Sequence, residues 1–430
     1  MPLQRTPITW AIYGVNGAWA SFIYLSGPIA PILAEDLGVS VGAAGLVGTA
    51  LAAGIATASV TGPAAIARIG RDRTTRVGLL VVAVTLAAIT LVPTVLAGAL
   101  AFGVILALIW VGSTGGGTVL NASTARLSDR HPVHSGQAIT EANAVAAWVG
   151  LFSPLLLGAA LGVGLGWWVG ILVCLVAALA ALAGLVLAGR IEGSAAFAGS
   201  DGRASAESDR PALVAADEGY VPPAEDVAPA EAVEPAEPSS ARLPKVFWVG
   251  MVALFAAVAT EFAINFWGSP LIQEQTGADT ATATAAMSTV VAGIAVGRTI
   301  GSWLTARLGA HAMLLGGFGL ALVGFAILWS AQVLALSIVG LVVVGLGLAT
   351  LFPLLLDRGI QLSGGHPDQA LARSSLIMGL AIGGAPFILG ALGSVVSVAT
   401  ALLLVPVLIL AGLIGTALSK PPVLAGAASA

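Results

Sequence analysis

Twelve stretches of about twenty apolar residues recur along this chain, and each is long enough to cross the hydrocarbon core of a bilayer as a helix. They fall near residues 8–33, 41–67, 77–97, 99–121, 138–163, 167–189, 246–271, 281–305, 312–330, 332–356, 371–392 and 396–418. Inside lipid every backbone N–H and C=O must be satisfied within the segment, so each stretch is expected to be helical. Composition supports this: 58% of the 430 residues are hydrophobic and 9% are charged, against roughly a quarter charged in a soluble domain. The expected fold class is an all-α polytopic membrane protein.

Between the sixth and seventh stretches lies a polar segment, 191–244, rich in Ala, Pro and Glu. It has too few large apolar residues to bury a core and reads as a disordered acidic linker. The chain then divides into a six-helix half (1–190), the linker (191–244), a second six-helix half (245–420) and a short tail (421–430). Arg68, Arg71, Arg73, Arg76, Arg126, Arg130, Arg307, Arg358, Arg373 and Lys420 all fall on one side if both termini lie there. The opposite connections hold Glu35, Asp36, Glu274 and Asp279 and no Lys or Arg. The positive-inside rule places the termini and linker in the cytoplasm, with an uncleaved first helix in the inner membrane.

The halves repeat one another. PILAEDLG from Pro31 and PLIQEQTG from Pro270 lie 239 positions apart, and the same spacing carries GPAAIARIG from Gly62 onto GSWLTARLG from Gly301. Glu35 meets Glu274, Arg68 meets Arg307 and Gly70 meets Gly309. Later, at a spacing of 232, Pro154 meets Pro386 and Gly158 meets Gly390. Two parallel six-span repeats describe transporters whose site lies between the halves.

On these residues the whole chain outside the linker resembles the major facilitator superfamily of secondary transporters. The best local match is the connection from Gly62 to Arg73, where the family carries a Gly, an Asp-Arg pair and then Gly-Arg-Lys/Arg. Here Ala67 stands at the usual Asp, matched by Ala306 in the second half, and the leading Gly is one residue early. GLFSPLLLG in span 5 partly resembles an antiporter motif, whereas GLGLATLFPLLL in span 10 is similar to sugar-permease-like members. The resemblance implies twelve helices in two pseudo-symmetric halves, alternating access, and a cavity lined by spans 1, 4, 7 and 10.

Glu261 is the residue that most invites a function. A carboxylate inside a span costs several kcal/mol unless it is paired, protonated or facing a wet cavity. Its counterpart in the first half is Phe22, so it lies outside the shared scaffold. It reads as a proton carrier or a counter-ion to a cationic substrate. The plainer alternative is a carboxylate bonded to a neighbouring helix or solvated near the outer interface. Asn265 follows one turn later, with Trp267 nearby. Asn16 and Trp19 on span 1, and Trp110, Thr114, Gly117 and Asn121 on span 4, form further helical stripes. They are expected in the cavity, with packing stripes as the alternative. Arg68, Arg71, Asp72, Glu141, Arg298, Arg307 and Arg373 are expected to form a cytoplasmic gate. When that side closes, Glu141 should pair with Arg298 or Arg307, and Arg373 with Asp72; otherwise all are ordinary loop charges.

No Arg or Lys falls inside the apolar stretches of spans 1, 4, 7 and 10, so the substrate is expected to be small and neutral, weakly cationic or amphiphilic. GSTGGGTVL lacks the Lys-Ser/Thr of a nucleotide loop, the four histidines are scattered, and Cys174 is the single cysteine. Neither cofactor, metal, nucleotide nor enzyme chemistry is expected, and the net charge of −4 argues against a nucleic-acid partner. The expectation is a monomeric transporter in the lipid bilayer, coupled to protons, with efflux of a drug-like compound or metabolite ahead of other modes. A sugar-type proton symporter or a uniporter is the alternative, and a non-transporting receptor on the same scaffold is the rival from another class.

Overall fold

A computed structural model describes residues 3–131, 134–208 and 243–420. Among these, twelve helical spans are long and apolar enough to cross a membrane. They are α1 (Pro7–Asp36), α2 (Val41–Ile69), α3 (Arg71–Val95), α4 (Gly98–Arg130), α5 (Ser135–Gly162), α6 (Trp168–Glu192), α7 (Lys245–Thr276), α8 (Thr280–Gly301), α9 (Ala310–Ser330), α10 (Leu334–Gln361), α11 (Gln369–Gly393) and α12 (Val398–Leu418). Several run past the apolar stretch that foretells them: α4 continues to Arg130 and the helix of α8 to Leu308, because polar ends emerge from the bilayer still helical. The helix of α6 runs on to Ser208, so the start of the segment expected as an unstructured linker is helical. The rest of that segment and the tail 421–430 lie outside the described residues.

Successive spans run in opposite directions, so the linker and the connections α2–α3, α4–α5, α8–α9 and α10–α11 share one end of the bundle, here called the linker face. The helices are punctuated by proline chemistry. α5, α10 and α12 are interrupted at Leu151, Ala349–Thr350 and Leu402–Leu403, each three residues before Pro154, Pro353 or Pro406. A proline lacks the N–H that the carbonyl four residues back would accept, and its ring crowds that carbonyl. Pro270 and Pro386 sit in unbroken helices, so a proline permits such a break without dictating it.

The repeat is visible as geometry. The Ser40 hydroxyl accepts from the Ala43 N–H to cap the start of α2, and the Asp279 carboxylate accepts from Thr282, at the repeat spacing, to cap α8. Gly70 and Gly309 end α2 and α8 with φ of 78° and 79°, a conformation that L side chains rarely adopt. The ends of α1 and α7 hold the starts of α6 and α12: Asp36 accepts from the Trp167 indole N–H at 2.9 Å, and Glu274 accepts from the Ala399 amide at 3.1 Å. Among the described residues, one basic residue is buried. Arg358 is buried on α10, donating to the Thr416 carbonyl of α12 at 2.9 Å and meeting His311 Nδ1 of α9 at 3.0 Å.

Candidate functional site

Where the two halves face each other, α1 presents Asn16, Trp19, Ile23 and Tyr24 along one helical stripe into a cavity of about 210 Å³. Opposite, α7 presents Val258, Glu261 and Phe262, and Arg298 of α8, Asn143 of α5, Phe352 of α10 and Met378 of α11 complete the wall. A second cavity of about 340 Å³ shares Asn143, Arg298 and Phe352 with the first and extends to Thr140 and Thr305, towards the linker face. The two form one path from mid-bundle to that face.

Glu261 and Arg298 are the charges of the central cavity. Both are partly buried, and the buried Tyr24 lines the same cavity within electrostatic reach of each. The guanidinium can only donate and the carboxylate can only accept, whereas the phenol is able to do both. Arg298 Nε donates to the Ala349 carbonyl at 3.5 Å. That carbonyl is free because its helical partner would be the N–H of residue 353, which is proline. The break in α10 therefore supplies the fixed acceptor that aims Arg298 into the cavity.

Beyond Glu261, away from the linker face, the halves close on one another. Asn265 donates to the Ile23 carbonyl at 3.4 Å, and its own backbone carbonyl would overlap a Cβ on Gly27, so α1 and α7 touch there. A Cβ on Gly45 would fall 2.6 Å from the Pro386 carbonyl of α11, and one on Gly158 would fall 2.5 Å from the Ala285 amide of α8. Three helix pairs thus seal the outer end, and the cavity opens to the linker face.

A profile of the Major Facilitator Superfamily matches residues 15–363. The protein belongs to this superfamily. Like other Major Facilitator Superfamily members it is a membrane transporter and not an enzyme. None of the curated proteins matches the chain by sequence. Among solved structures it is similar to a D-xylose-proton symporter, at TM-score 0.68 and 12% identity, covering 97% of this chain and 98% of that one. It is also similar to a glutamate-to-glutamine mutant of the peptide transporter POT, at TM-score 0.66 and 14% identity, covering 95% and 93%. A bacterial homologue of the human drug peptide transporters PepT1 and PepT2 matches at TM-score 0.63 and 15% identity, covering 97% and 98%. At these identities the likeness is one of fold.

Within this transporter, the residues expected in the cavity separate into two groups. Asn16, Trp19 and Glu261 line it. Asn265 does not: it pins α7 to α1 one turn outward. Trp267 is buried and donates to the Pro386 carbonyl at 3.0 Å, tying α7 to α11. Trp110 is 45% exposed on the outer wall, donating to the Thr57 hydroxyl of α2 at 3.1 Å, with Thr114 in the same outer groove. Gly117 packs on Ala58 and Asn121 lies exposed near Gly62, so the whole expected α4 stripe faces α2. The cavity side of α4 is instead Gly116, whose missing side chain leaves room for the Trp19 ring, with Leu120 and with Ser123, whose hydroxyl donates to Asn16 Oδ1 at 3.1 Å. Tyr24, Asn143 and Arg298 are cavity residues that sequence reasoning did not place there. Arg298 carried a signal: its repeat counterpart is Ser59, so it departs from the shared scaffold as Glu261 does.

The expected gate pairs are not formed with the linker face open. Glu141 accepts from Arg5 at 2.7 Å and from the Tyr13 hydroxyl at 3.1 Å, instead of meeting Arg298 or Arg307. Asp72 pairs with Arg126 at 2.9 Å, Arg71 pairs with Asp129, and Arg307 lies over the Trp303 ring at 4.1 Å. Arg68 and Arg373 are exposed. The Arg5 guanidinium is held above its ordinary pKa by its hydrogen bond to Glu141 and by that carboxylate's charge. The expectation of a cavity without a basic residue fails as well, because α8, outside the four spans considered, delivers Arg298.

Proposed function

We propose that the protein moves a small carboxylate-bearing organic molecule together with a proton, by alternating access, with Glu261 as the proton carrier. The observation that carries this is the cluster of Arg298, Tyr24 and Glu261 in the wall of the central cavity. With Glu261 ionised, the guanidinium and carboxylate compensate one another across the cavity. Protonation of Glu261 cancels its charge and leaves Arg298 uncompensated in a place where an unpaired charge is costly. An anionic group of the substrate restores the balance, so proton and substrate favour each other's binding.

Arg298 also replaces the ground on which a neutral or cationic substrate, and efflux, were favoured. Trp19, Phe262, Phe352 and Met378 offer apolar surface for the body of the molecule, and Asn16 and Asn143 offer amide contacts. The positive-inside pattern supports a cytoplasmic linker face, and on that reading the open path leads to the cytoplasm.

The test is uptake of labelled small monocarboxylates into proteoliposomes under an imposed pH gradient. Wild type should accumulate substrate. Glu261→Gln should lose gradient-driven accumulation while keeping counterflow, because the neutral amide mimics the protonated acid. Arg298→Gln should lose both. Undiminished accumulation by Glu261→Gln would sink the assignment.

A further inference from the structure

Two apolar grooves of about 340 and 300 Å³ open on the outer wall of the bundle, away from the substrate path. The first lies between α2 and α3 with α4 as its floor, and the second between α8 and α9 with α10 as its floor. They are repeats of one another: Ile69, Val77 and Gly78 of the first correspond, 239 positions on, to Leu308, Gly316 and Gly317 of the second. Each floor is a glycine crossing. A Cβ on Gly115 would lie 3.1 Å from the Gly78 carbonyl, and one on Gly317 would lie 2.8 Å from the Gly347 carbonyl.

The dimensions and charges of the grooves indicate what fills them. On α2 the lining runs from Thr57 to Ile69, and on α8 from Gly297 to Leu308, a rise of roughly 17 Å at ~1.5 Å per residue. That is about one leaflet of a ~30 Å hydrocarbon core. Both grooves end at the linker face, beside exposed cations: Arg68 and Arg73 at the first, and Arg307, stacked over the exposed Trp303, at the second. The acids nearest the first cluster, Asp72 and Asp129, are already occupied by Arg126 and Arg71. Each groove therefore has an apolar length matched to one acyl chain and a positive end at headgroup depth.

We propose that these grooves are a symmetry-related pair of sites for anionic phospholipid of the leaflet at the linker face. One acyl chain lies along each glycine floor, with the phosphate on Arg68 and Arg73 in one half and on Arg307 in the other. The pairing fixes the stoichiometry at two lipids per chain.

Native mass spectrometry of the full-length protein, exchanged into detergent with equal phosphatidylglycerol and phosphatidylcholine, tests this. Wild type should retain two phosphatidylglycerol molecules in preference to phosphatidylcholine. Arg307→Gln should weaken one of the two by about tenfold, the scale of one charge-assisted contact, and leave the other unchanged. Gly316→Leu should remove one lipid, since a Cβ there meets open space and the larger side chain fills the groove. If that variant melts early, Ala312→Leu in the same groove makes the same test. Equal retention of both headgroups would overturn the cationic end of the site, and two tightly held lipids in either groove-filled variant would overturn the groove.

Discussion

Tyr24 shares the cavity with a group that can only donate and one that can only accept, and its hydroxyl can serve both. Tyr24→Phe keeps the ring and removes that hydroxyl. Under the proposed mechanism, proton-driven uptake should fall by about tenfold or more, the scale of losing a hydrogen bond to a charged group. An unchanged initial rate would show that Glu261 and Arg298 communicate without it. Trp19 and Trp110 make a paired comparison. Trp19→Ala should cripple uptake, whereas Trp110→Phe, on the outer wall, should leave it within about twofold, as for substitutions away from sites and cores. At this scale the sequence was legible where a residue broke the repeat. Glu261 facing Phe22 and Arg298 facing Ser59 are both departures from the shared scaffold, and both prove to be cavity charges. Tyr24 broke no pattern. Its role comes from which helices oppose α1, which a single stretch of sequence does not contain.

A helix's periodicity was easier to recognise than its facing. The α4 stripe Trp110, Thr114, Gly117, Asn121 is a real face, yet it meets α2 and lipid, while Gly116, Leu120 and Ser123 look inward. Inside a bilayer the outside is as apolar as the packed interior, and small residues mark helix contacts whether or not these border a cavity. The break in α10 allows a sharper test. Pro353→Ala restores an N–H for the Ala349 carbonyl, which then competes with Arg298 Nε for that acceptor. Substrate affinity should drop while thermal stability holds or rises, as measured by counterflow and melting on the same preparation. The caps are testable by pH. The Asp279 carboxyl is held below the usual carboxylate range, first by the Thr282 backbone N–H and then by its hydroxyl. A carboxyl with a depressed folded pKa stabilises fully above its ordinary value of ~3.9 and loses this as pH falls through the lower folded value. Asp279→Ala should therefore lower Tm at neutral pH, with the gap from wild type closing as the solution is acidified below about pH 4.

For the whole molecule, access to one side depends on how closely helix backbones can approach at the other. Two of the three contacts of the outer seal are α2 against α11 at Gly45 and α5 against α8 at Gly158, and neither position has space for a single carbon. The division into two repeated halves was readable from aligned Pro, Glu and Arg positions, but the seal was not, because glycine is too common here to single out two of 55. Gly45→Leu and Gly158→Leu should each hold the outer end open, populating the opposite access state and stopping turnover while substrate binding survives. Cysteines introduced at Thr140 or Thr305, on the path to the linker face, report the state directly. The native Cys174 is buried and should contribute little labelling. In wild type these positions should react readily with a polar maleimide. In the Gly45→Leu background their labelling should slow by about tenfold, which corresponds to an open:closed ratio moved from roughly 9:1 to roughly 1:10, a shift of ~2.7 kcal/mol. Closure of the linker face also requires Glu141 to leave Arg5 if it is to meet Arg298 or Arg307 on α8. Glu141→Gln in the same background should then restore part of the lost labelling. Labelling that stays slow would leave Glu141 as an anchor for the N-terminal arm and exclude it from the gate.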